Sequence, residues 1–237
     1  MILKKWDKIP KGLKCDAVRE YYDVLSHRKV SLVLKRAFDI VVSFLLLLIL
    51  SPILLILAIL IKLDSKGPVF YRQERIKQYG KTFKIFKFRT MVQNADKIGS
   101  LITLGKDPRI TRMGNIIRKC RLDELPQVIN VFIGDMTFVG TRPEVKKYVD
   151  KYTDEMKATL LLKPGITSIA SIRYRDEDEV MNEFIAKGKT IDEAYTENVL
   201  PDKMKYNLEY IKKFSVITDI KICIDTVLVV SGLKKSE

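Results

Sequence analysis

Two neighbouring carboxylates, Asp123 and Glu124, stand in the run Arg121-Leu122-Asp123-Glu124-Leu125-Pro126-Gln127. In the middle of a helix, adjacent acids point about 100° apart and cooperate poorly. Pro126 changes that picture, because proline is tolerated in a helix's first turn, where its missing N–H costs little. The spacing predicts a helix over 123–133 with Asp123 at or near its N-cap. There, free backbone N–H groups and the helix dipole favour anions, phosphate included. Adjacent Asp and Glu also supply the oxygen ligands that Mg²⁺ takes. A plain aspartate cap on a structural helix fits the same residues, and both readings stay open at this point.

Other candidate residues are basic. Gly140-Thr141-Arg142-Pro143 reads as a tight turn presenting an arginine, whose fork of donors grips phosphate oxygens. Gln73, Arg75, Lys87 and Arg89 fall on an expected hairpin among Phe83, Phe86 and Phe88. That mixture suits stacking and charge on nucleic acid, lipid headgroups, or a plain strand with one solvated face. Lys163-Pro164-Gly165-Ile166-Thr167, with Arg173 and Arg175 beyond it, makes a second turn with basic neighbours. The single histidine, His27, lies in a polar stretch and reads as a surface residue, which argues against a histidine base. Cys15, Cys120 and Cys223 contain no CxxC pair, so neither a zinc site nor a disulfide framework is expected. Enzyme chemistry would then fall to carboxylates, arginines, lysines and a metal.

These residues must be positioned by a chain of 237 residues with formal net charge +14 and 47% hydrophobic content. The charge suits nucleic acid, anionic lipid or phosphorylated substrates. The dominant feature is the uncharged run 40–61, IVVSFLLLLILSPILLILAILI. As a straight helix, its ~22 residues reach ~33 Å, about a bilayer's hydrocarbon thickness. Ser51-Pro52 sits at its middle, and basic residues flank both ends, Lys35 and Arg36 before, Lys62 and Lys66 after. Positive flanks prefer the cytoplasmic side. A spanning helix and a helix-break-helix that dips in and returns are both compatible with this. No cleaved signal peptide is indicated ahead of it.

Around the anchor, 16–31 is expected to be a short amphipathic helix (Val18, Tyr22, Leu25). A hairpin is expected from 69–72 and 81–91, turning at Tyr79-Gly80. Helices are expected over 94–104, 111–121, 144–162, 177–188, 191–196, 202–214 and 219–230, the last closing the core or lying in the membrane interface. The stretch 134–143 reads as turns and 168–175 as extended. The fold class is therefore α+β and mostly helical. It divides into an N-terminal polar segment 1–34, a membrane anchor 35–64 and a catalytic domain 65–237.

In order and spacing, KRAFDIVVS, LSPIL, GPVFYRQERI with GKTFKIFKFRTM, RLDELPQVINVFIGDMTFVGTRPEV and KPGIT resemble the bacterial sugar transferase family, the monotopic phosphoglycosyl transferases. The resemblance runs from Lys35 to the C-terminus. It implies a re-entrant helix broken at Ser51-Pro52, a catalytic domain with interfacial amphipathic helices, and a monotopic place on the cytoplasmic face of the inner membrane. It implies transfer of a sugar 1-phosphate from a UDP-sugar to polyprenyl (undecaprenyl) phosphate, with Mg²⁺ and release of UMP, as the first membrane step of surface-glycan synthesis. Asp123 matches the nucleophile that becomes an aspartyl-phosphosugar, and Glu124 its metal-associated partner. Arg142 and Arg175 match phosphate contacts, joined here by Gln73, Arg75, Lys87 and Arg89. Lys35 and Arg36 match a basic pair at the mouth of the re-entrant helix, expected at lipid headgroups. Nucleic acid is then no partner, and a homodimer is left open. A non-enzymatic, membrane-anchored basic module is the rival reading.

Four places depart from the family's usual text. Lys77 stands where glycine is common. Thr141 replaces the first proline of a Gly-Pro-Arg-Pro turn. SIASIRYR replaces a Trp-Gln-Val-containing segment, and Tyr206-Asn207 stands where a Tyr/Leu-Asp pair is frequent. Many members carry a multi-span region ahead of the matching part, and this chain is expected to be the minimal catalytic form. The sugar, hexose or N-acetylated hexosamine, is not named by these residues.

Overall fold

The computed structural model describes residues 2–95 and 107–234. The helix expected over 94–104 lies mostly outside the described residues.

The N-terminal helix α1 (Asp16–Ser26) is shorter than expected and buries Val18, Tyr21 and Leu25. Tyr21, not Tyr22, faces inward; Tyr22 packs beside Trp6 at 5.0 Å. After a short turn, α2 (Lys29–Asp64) runs for 36 residues, about 54 Å at 1.5 Å per residue. Among the described residues it is the one helix long and apolar enough to cross a membrane. The expected break at Ser51-Pro52 is not an unwound segment, since α2 is helical through both residues. Pro52 has no N–H for the carbonyl of Leu48, four residues back. The Ser51 hydroxyl takes up that carbonyl at 2.8 Å, so the dipeptide preserves the helix it was expected to interrupt.

Both ends of α2 dock on one body. The first part buries Leu32, Lys35, Asp39 and Ser43, and the last part buries Leu57 and Ile61. Between them Phe44, Leu45, Leu48, Ile49, Ile53, Leu55 and Ile56 stand exposed.

The β structure is sparse. Strand β1 (Phe70–Tyr71) pairs antiparallel with β4 (Lys87–Phe88), and β2 (Glu74–Lys77) pairs with β3 (Lys81–Lys84). The β2–β3 turn falls at Tyr79-Gly80, as the sequence suggests, with φ of 63° and 73°. Helix α3 (Arg112–Lys119) is capped by Thr111, whose side chain accepts from Gly114 N. A 3₁₀ turn at Leu122–Glu124 follows, then α4 (Gln127–Ile133). The stretch expected to be turns contains β5 (Thr137–Val139), parallel to β6 (Gly165–Thr167). This pairing brings the 140–143 and 163–167 turns together. Added at Gly165, a Cβ would stand 2.2 Å from Gly140 N, so the two backbones meet where only glycine fits.

The rest is helical. The stretch 144–162 is not one helix but α5 (Lys146–Val149) and a 3₁₀ segment at Met156–Leu161. The segment expected to be extended is instead α6 (Ile169–Arg173), because the Ser168 side chain caps it by accepting from Ser171 N at 3.0 Å. Then come α7 (Glu177–Ala186), α8 (Ile191–Glu193), α9 (Leu200–Lys212) and α10 (Val216–Val230). Val18, Leu25 and Leu32 share one core cluster with Ile211 and Phe214. Helix α10 buries Asp219, Ile222 and Val229 and exposes Ile217, Ile220, Ile224 and Val227 on its other side. It closes the core and also presents an apolar face.

Candidate active site

Three separate pieces of chain converge on Glu124. Lys87 comes from β4, Arg142 from the turn after β5, and Glu124 from the 3₁₀ turn. Lys87 Nζ donates to Glu124 Oε1 at 2.9 Å. Arg142 Nη1 donates to Oε2 at 3.2 Å, and its Nη2 donates to Oε1. Burial works to raise the Glu124 carboxyl, but Arg142 and Lys87 beside it hold it well below the usual range. Glu124 in turn holds the Arg142 guanidinium above its ordinary value. Burial pushes the Lys87 ammonium down, against the pull of Glu124.

Asp123 is one residue away and differently placed. It is not the cap of α4, whose cap is Pro126. It sits a turn upstream, in a tight bend entered through Arg121 in the left-handed region at φ 53°. A 3₁₀ turn splays successive side chains about 120° apart, so Glu124 turns to its cations while Asp123 does not follow. No cation lies within ion-pair distance of Asp123 among the described residues, and no side chain donates to it. Burial, and then the charge of Glu124, raise its carboxyl above the ordinary value; Lys87 and Arg118 only partly oppose this. Arg118, on α3, is a neighbour of Asp123 that the sequence did not mark. The site thus holds one neutralised carboxylate and one under-compensated, partly buried one, a contrast of the kind that marks functional sites.

The other expected contacts are placed as follows. Arg75 donates to Gln73 Oε1 at 3.0 and 2.6 Å and to Pro143 O at 3.1 Å. It also pairs with Glu144 at 3.9 Å, and Glu144 accepts from Tyr195 at 2.6 Å. These residues brace the Arg142 turn from behind. Arg89, expected at a phosphate, is 5% exposed and donates from Nη2 to Ser65 O (2.6 Å), Ser65 Oγ (2.8 Å) and Ile61 O (3.3 Å). It caps the C-terminal end of α2, where a cation is favoured. Arg175 donates to Val229 O at 2.8 Å, at the end of α10, and its own carbonyl accepts from Arg121 at 2.9 Å. Its guanidinium takes no part in the Glu124 cluster, but its backbone tethers the bend that carries Asp123.

Lys35 and Arg36, expected at lipid headgroups, are also turned to protein. Lys35 is 2% exposed and donates to Asp219 at 2.6 Å and Val139 O at 2.7 Å. An ammonium at the base of an anchor can reach outward only if nothing inside claims it, and here a buried carboxylate does. Arg36 donates to Val131 O and Phe132 O at 2.7 and 2.9 Å, capping α4. The sequence reading missed Asp219. Its signal was a carboxylate on the helix face that also carries Ile222 and Val229, a buried position that calls for a cation.

Among the described residues, no group of three His, Cys, Asp or Glu side chains is placed to hold a metal. Mg²⁺ is commonly held by one or two carboxylates together with substrate phosphates. Asp123, lacking a cation partner, fits that mode as one carboxylate completed by substrate oxygens, whereas both oxygens of Glu124 are taken by Arg142 and Lys87.

A partly buried carboxylate without a cation partner stands beside a Lys–Arg clamp, on a body that grips both ends of a long apolar helix. The chain matches the profile of the bacterial sugar transferase family over residues 30–232, and it belongs to that family. It is 39% identical over 203 residues to the UDP-glucose:undecaprenyl-phosphate glucose-1-phosphate transferase of Escherichia coli (strain K12), covering 84% of this chain and 40% of that protein. It is 35% identical over 197 residues to the UDP-N-acetylgalactosamine-undecaprenyl-phosphate N-acetylgalactosaminephosphotransferase of Aeromonas hydrophila, covering 82% and 43%. The chain therefore spans about two-fifths of the length of these relatives. With the exopolysaccharide production protein PSS of Rhizobium leguminosarum bv. phaseoli it shares 36% identity, over 84% of this chain and 96% of that one.

Proposed function

We propose that this protein transfers a sugar 1-phosphate from a UDP-sugar to undecaprenyl phosphate, at the cytoplasmic face of the inner membrane, through a covalent aspartyl-phosphosugar. It does so as the first membrane step of surface-glycan synthesis. The observation that carries the reading is the unpaired, partly buried Asp123 beside a Glu124 already clamped by Lys87 and Arg142. In the first step an Asp123 oxygen bonds to the sugar-linked phosphorus, the bond from that phosphorus to the bridging oxygen breaks, and UMP leaves. In the second, a phosphate oxygen of the polyprenyl carrier bonds to the same phosphorus, the aspartyl oxygen leaves, and the carboxylate is restored. Splitting the transfer in this way makes each displacement easier. Arg142 and Lys87, gathered at Glu124 beside the nucleophile, would offset charge on the attacked group. Asp123, with Glu124 beside it, would hold Mg²⁺, and the metal would supply further neutralisation of charge on the donor.

The test is UMP release from UDP-sugar without any lipid acceptor, in an amount stoichiometric with enzyme, together with a phosphosugar adduct on the peptide that contains Asp123. EDTA should suppress that release and added Mg²⁺ restore it; full release in EDTA would remove the metal from the reading.

The pH profile should be bell-shaped with both limbs displaced inward. A nucleophilic carboxylate acts only when ionised, and burial raises Asp123. Activity is therefore lost as pH falls through a value above the ordinary aspartate range, about 3.9. Burial lowers Lys87. Its charge, and with it activity, is lost as pH rises through a value below the ordinary lysine range, about 10.4. Limbs of kcat/KM at the ordinary values would contradict the two assignments.

The topology belongs to the same proposal. Lys35, Asp39 and Arg36 are bonded to α10, β5 and α4. Leu57 and Ile61 pack with Phe88 and Ile117. One body thus holds both ends of α2, which supports a helix whose middle dips into the bilayer while both ends stay on one side. Basic residues at both ends favour the cytoplasmic side. In a cysteine-free background, K29C and K66C should react with an impermeant thiol reagent from the same face; labelling from opposite faces would mean the helix spans.

A further inference from the structure

Among the described residues, two buried side chains hold nitrogens without a hydrogen-bond partner, Arg89 and Gln127. Arg89 is engaged through its Nη2 at the end of α2. Gln127 opens α4, four residues after Asp123, and is 1% exposed. Its Nε2 finds no acceptor. Buried amides are nearly always bonded, because an unmade bond at that depth is costly. None of the roles assigned above uses this amide.

The helical path fixes its neighbours. Leu125 and Pro126 carry the 3₁₀ turn of Leu122–Glu124 into α4 in right-handed helical geometry, and Val128 N donates to Leu125 O at 3.2 Å. Residues three apart on such a path lie on one side. Glu124, Gln127 and Asn130 therefore form one row. Both ends of the row face the same stretch of chain. Glu124 accepts from Lys87, while Asn130 accepts from Phe86 N at 2.8 Å and donates to Lys84 O at 3.2 Å. Gln127 stands between them, one turn from the carboxylate that Lys87 and Arg142 clamp.

We propose that Gln127 is a positioning residue whose Nε2 donates to Glu124 when Lys87 and Arg142 turn to the diphosphate of the donor. The proposal rests on the UDP-sugar activity proposed above. Both oxygens of Glu124 are taken by those two cations. When phosphate oxygens draw the cations away, a buried carboxylate loses the bonds that neutralise it, and a buried charge without partners is costly. A donor already beside it meets that loss with a charge-assisted hydrogen bond. The clamp is then an exchange: the cations pass from carboxylate to phosphate, and the amide takes the carboxylate. No proton moves. A neutral amide suits this part better than a third cation, which would compete for the phosphate itself. It also explains why a buried N–H is left unbonded while the cations hold Glu124.

The test measures the Kd of inorganic pyrophosphate, by calorimetry, in wild type, Q127M, E124Q and the double variant. Methionine keeps the length of the side chain and deletes the donor. Q127M should weaken pyrophosphate by about tenfold or more, as expected for one hydrogen bond to a charged group. In the E124Q background the same change should have an effect within about twofold, because a neutral group at 124 has no charge to be met. The melting temperature of Q127M without ligand should stay at or above wild type, since the deleted amide nitrogen has no partner to lose. In turnover of UDP-glucose with undecaprenyl phosphate, the loss should fall on KM with kcat within about twofold, because the exchange is complete once the donor is bound. Unchanged pyrophosphate affinity, an equal loss in both backgrounds, a loss confined to kcat, or a lowered melting temperature would each overturn the proposal. Q127L replaces Q127M, and E124A replaces E124Q, should either fail to fold. If wild type turns over neither UDP-glucose nor UDP-N-acetylgalactosamine, the functional reading fails on its own, and the pyrophosphate measurements then decide the exchange. Wild type that binds no pyrophosphate would sink it.

Discussion

Asp123→Asn should abolish acceptor-independent UMP release, by at least ~10⁴-fold, while leaving the protein as stable as wild type or slightly more so. The first half follows from covalent chemistry. An amide oxygen is a poor nucleophile towards phosphorus, and removal of a nucleophile that acts as part of a unit costs about as much as removal of the unit. The second half follows from the environment. The Asp123 carboxyl is raised by burial and by Glu124, and it has no side-chain donor to lose. A carboxylate whose folded value lies above its unfolded value favours the protonated form in the fold, so its charge at neutral pH is a cost to stability. Asparagine removes that cost and keeps the shape. Loss of activity with a steady or raised melting temperature is the mark of strain held for function. Glu124→Gln should behave oppositely, because the Glu124 carboxyl sits well below the usual range and its two cations would lose their counter-charge. A fully active Asp123→Asn protein would end the nucleophile assignment, and a sharply destabilised one would show that the carboxylate is a structural cap after all.

Much of this arrangement was legible in the chain, and the failures share a cause. The arginine turn and the hairpin turn at Tyr79-Gly80 are local signals, fixed by residue type and short spacing, and the structure has them where the sequence puts them, whereas the adjacent acids lie in a 3₁₀ turn ahead of the helix start expected for them. Helices 111–121, 177–188 and 202–214 were likewise readable from apolar spacing and caps. What could not be read was which partner each charge finds. Lys35 and Asp219 are 184 positions apart, and nothing in either neighbourhood names the other. Arg89 carries the same charge as Lys87 two residues away, yet one caps a helix and the other clamps Glu124. The 168–175 segment misled for a local reason. Its alternation of apolar and polar residues looks extended, but Ser168 supplies a cap that outweighs it. At Ser51-Pro52 the sequence showed a missing donor, and only the geometry showed that the preceding hydroxyl replaces it.

The largest expected effect on stability lies far from the chemistry, at Lys35 and Asp219. The two side chains are 2% and 5% exposed and 2.6 Å apart. Tyr210 donates to the other carboxylate oxygen at 2.6 Å, and Lys35 also reaches Val139 O. Removing one partner of such a pair leaves an uncompensated buried charge, at a cost of about 3–5 kcal/mol. Asp219→Ala should therefore lower the melting temperature in detergent by about 6–20 °C for a chain of this size. Asp219→Asn should cost less, because the amide oxygen still accepts from Lys35 while the NH₂ donates to the Tyr210 hydroxyl oxygen. The double change Lys35→Met with Asp219→Leu should recover most of the loss, since a buried pair exchanged for packed apolar groups is often neutral. A double variant as unstable as Asp219→Ala would mean that the pair matters for its geometry rather than for its charge. The same experiment bears on activity. Val139 O binds Lys35, Gly140 follows it, and Arg142 stands two residues further on the turn that clamps Glu124. The bond that fastens the N-terminal part of α2 to the domain is therefore also the footing of the arginine. Asp219→Ala should lose UMP release in step with its loss of fold, and the apolar double variant, if it packs, should recover both together.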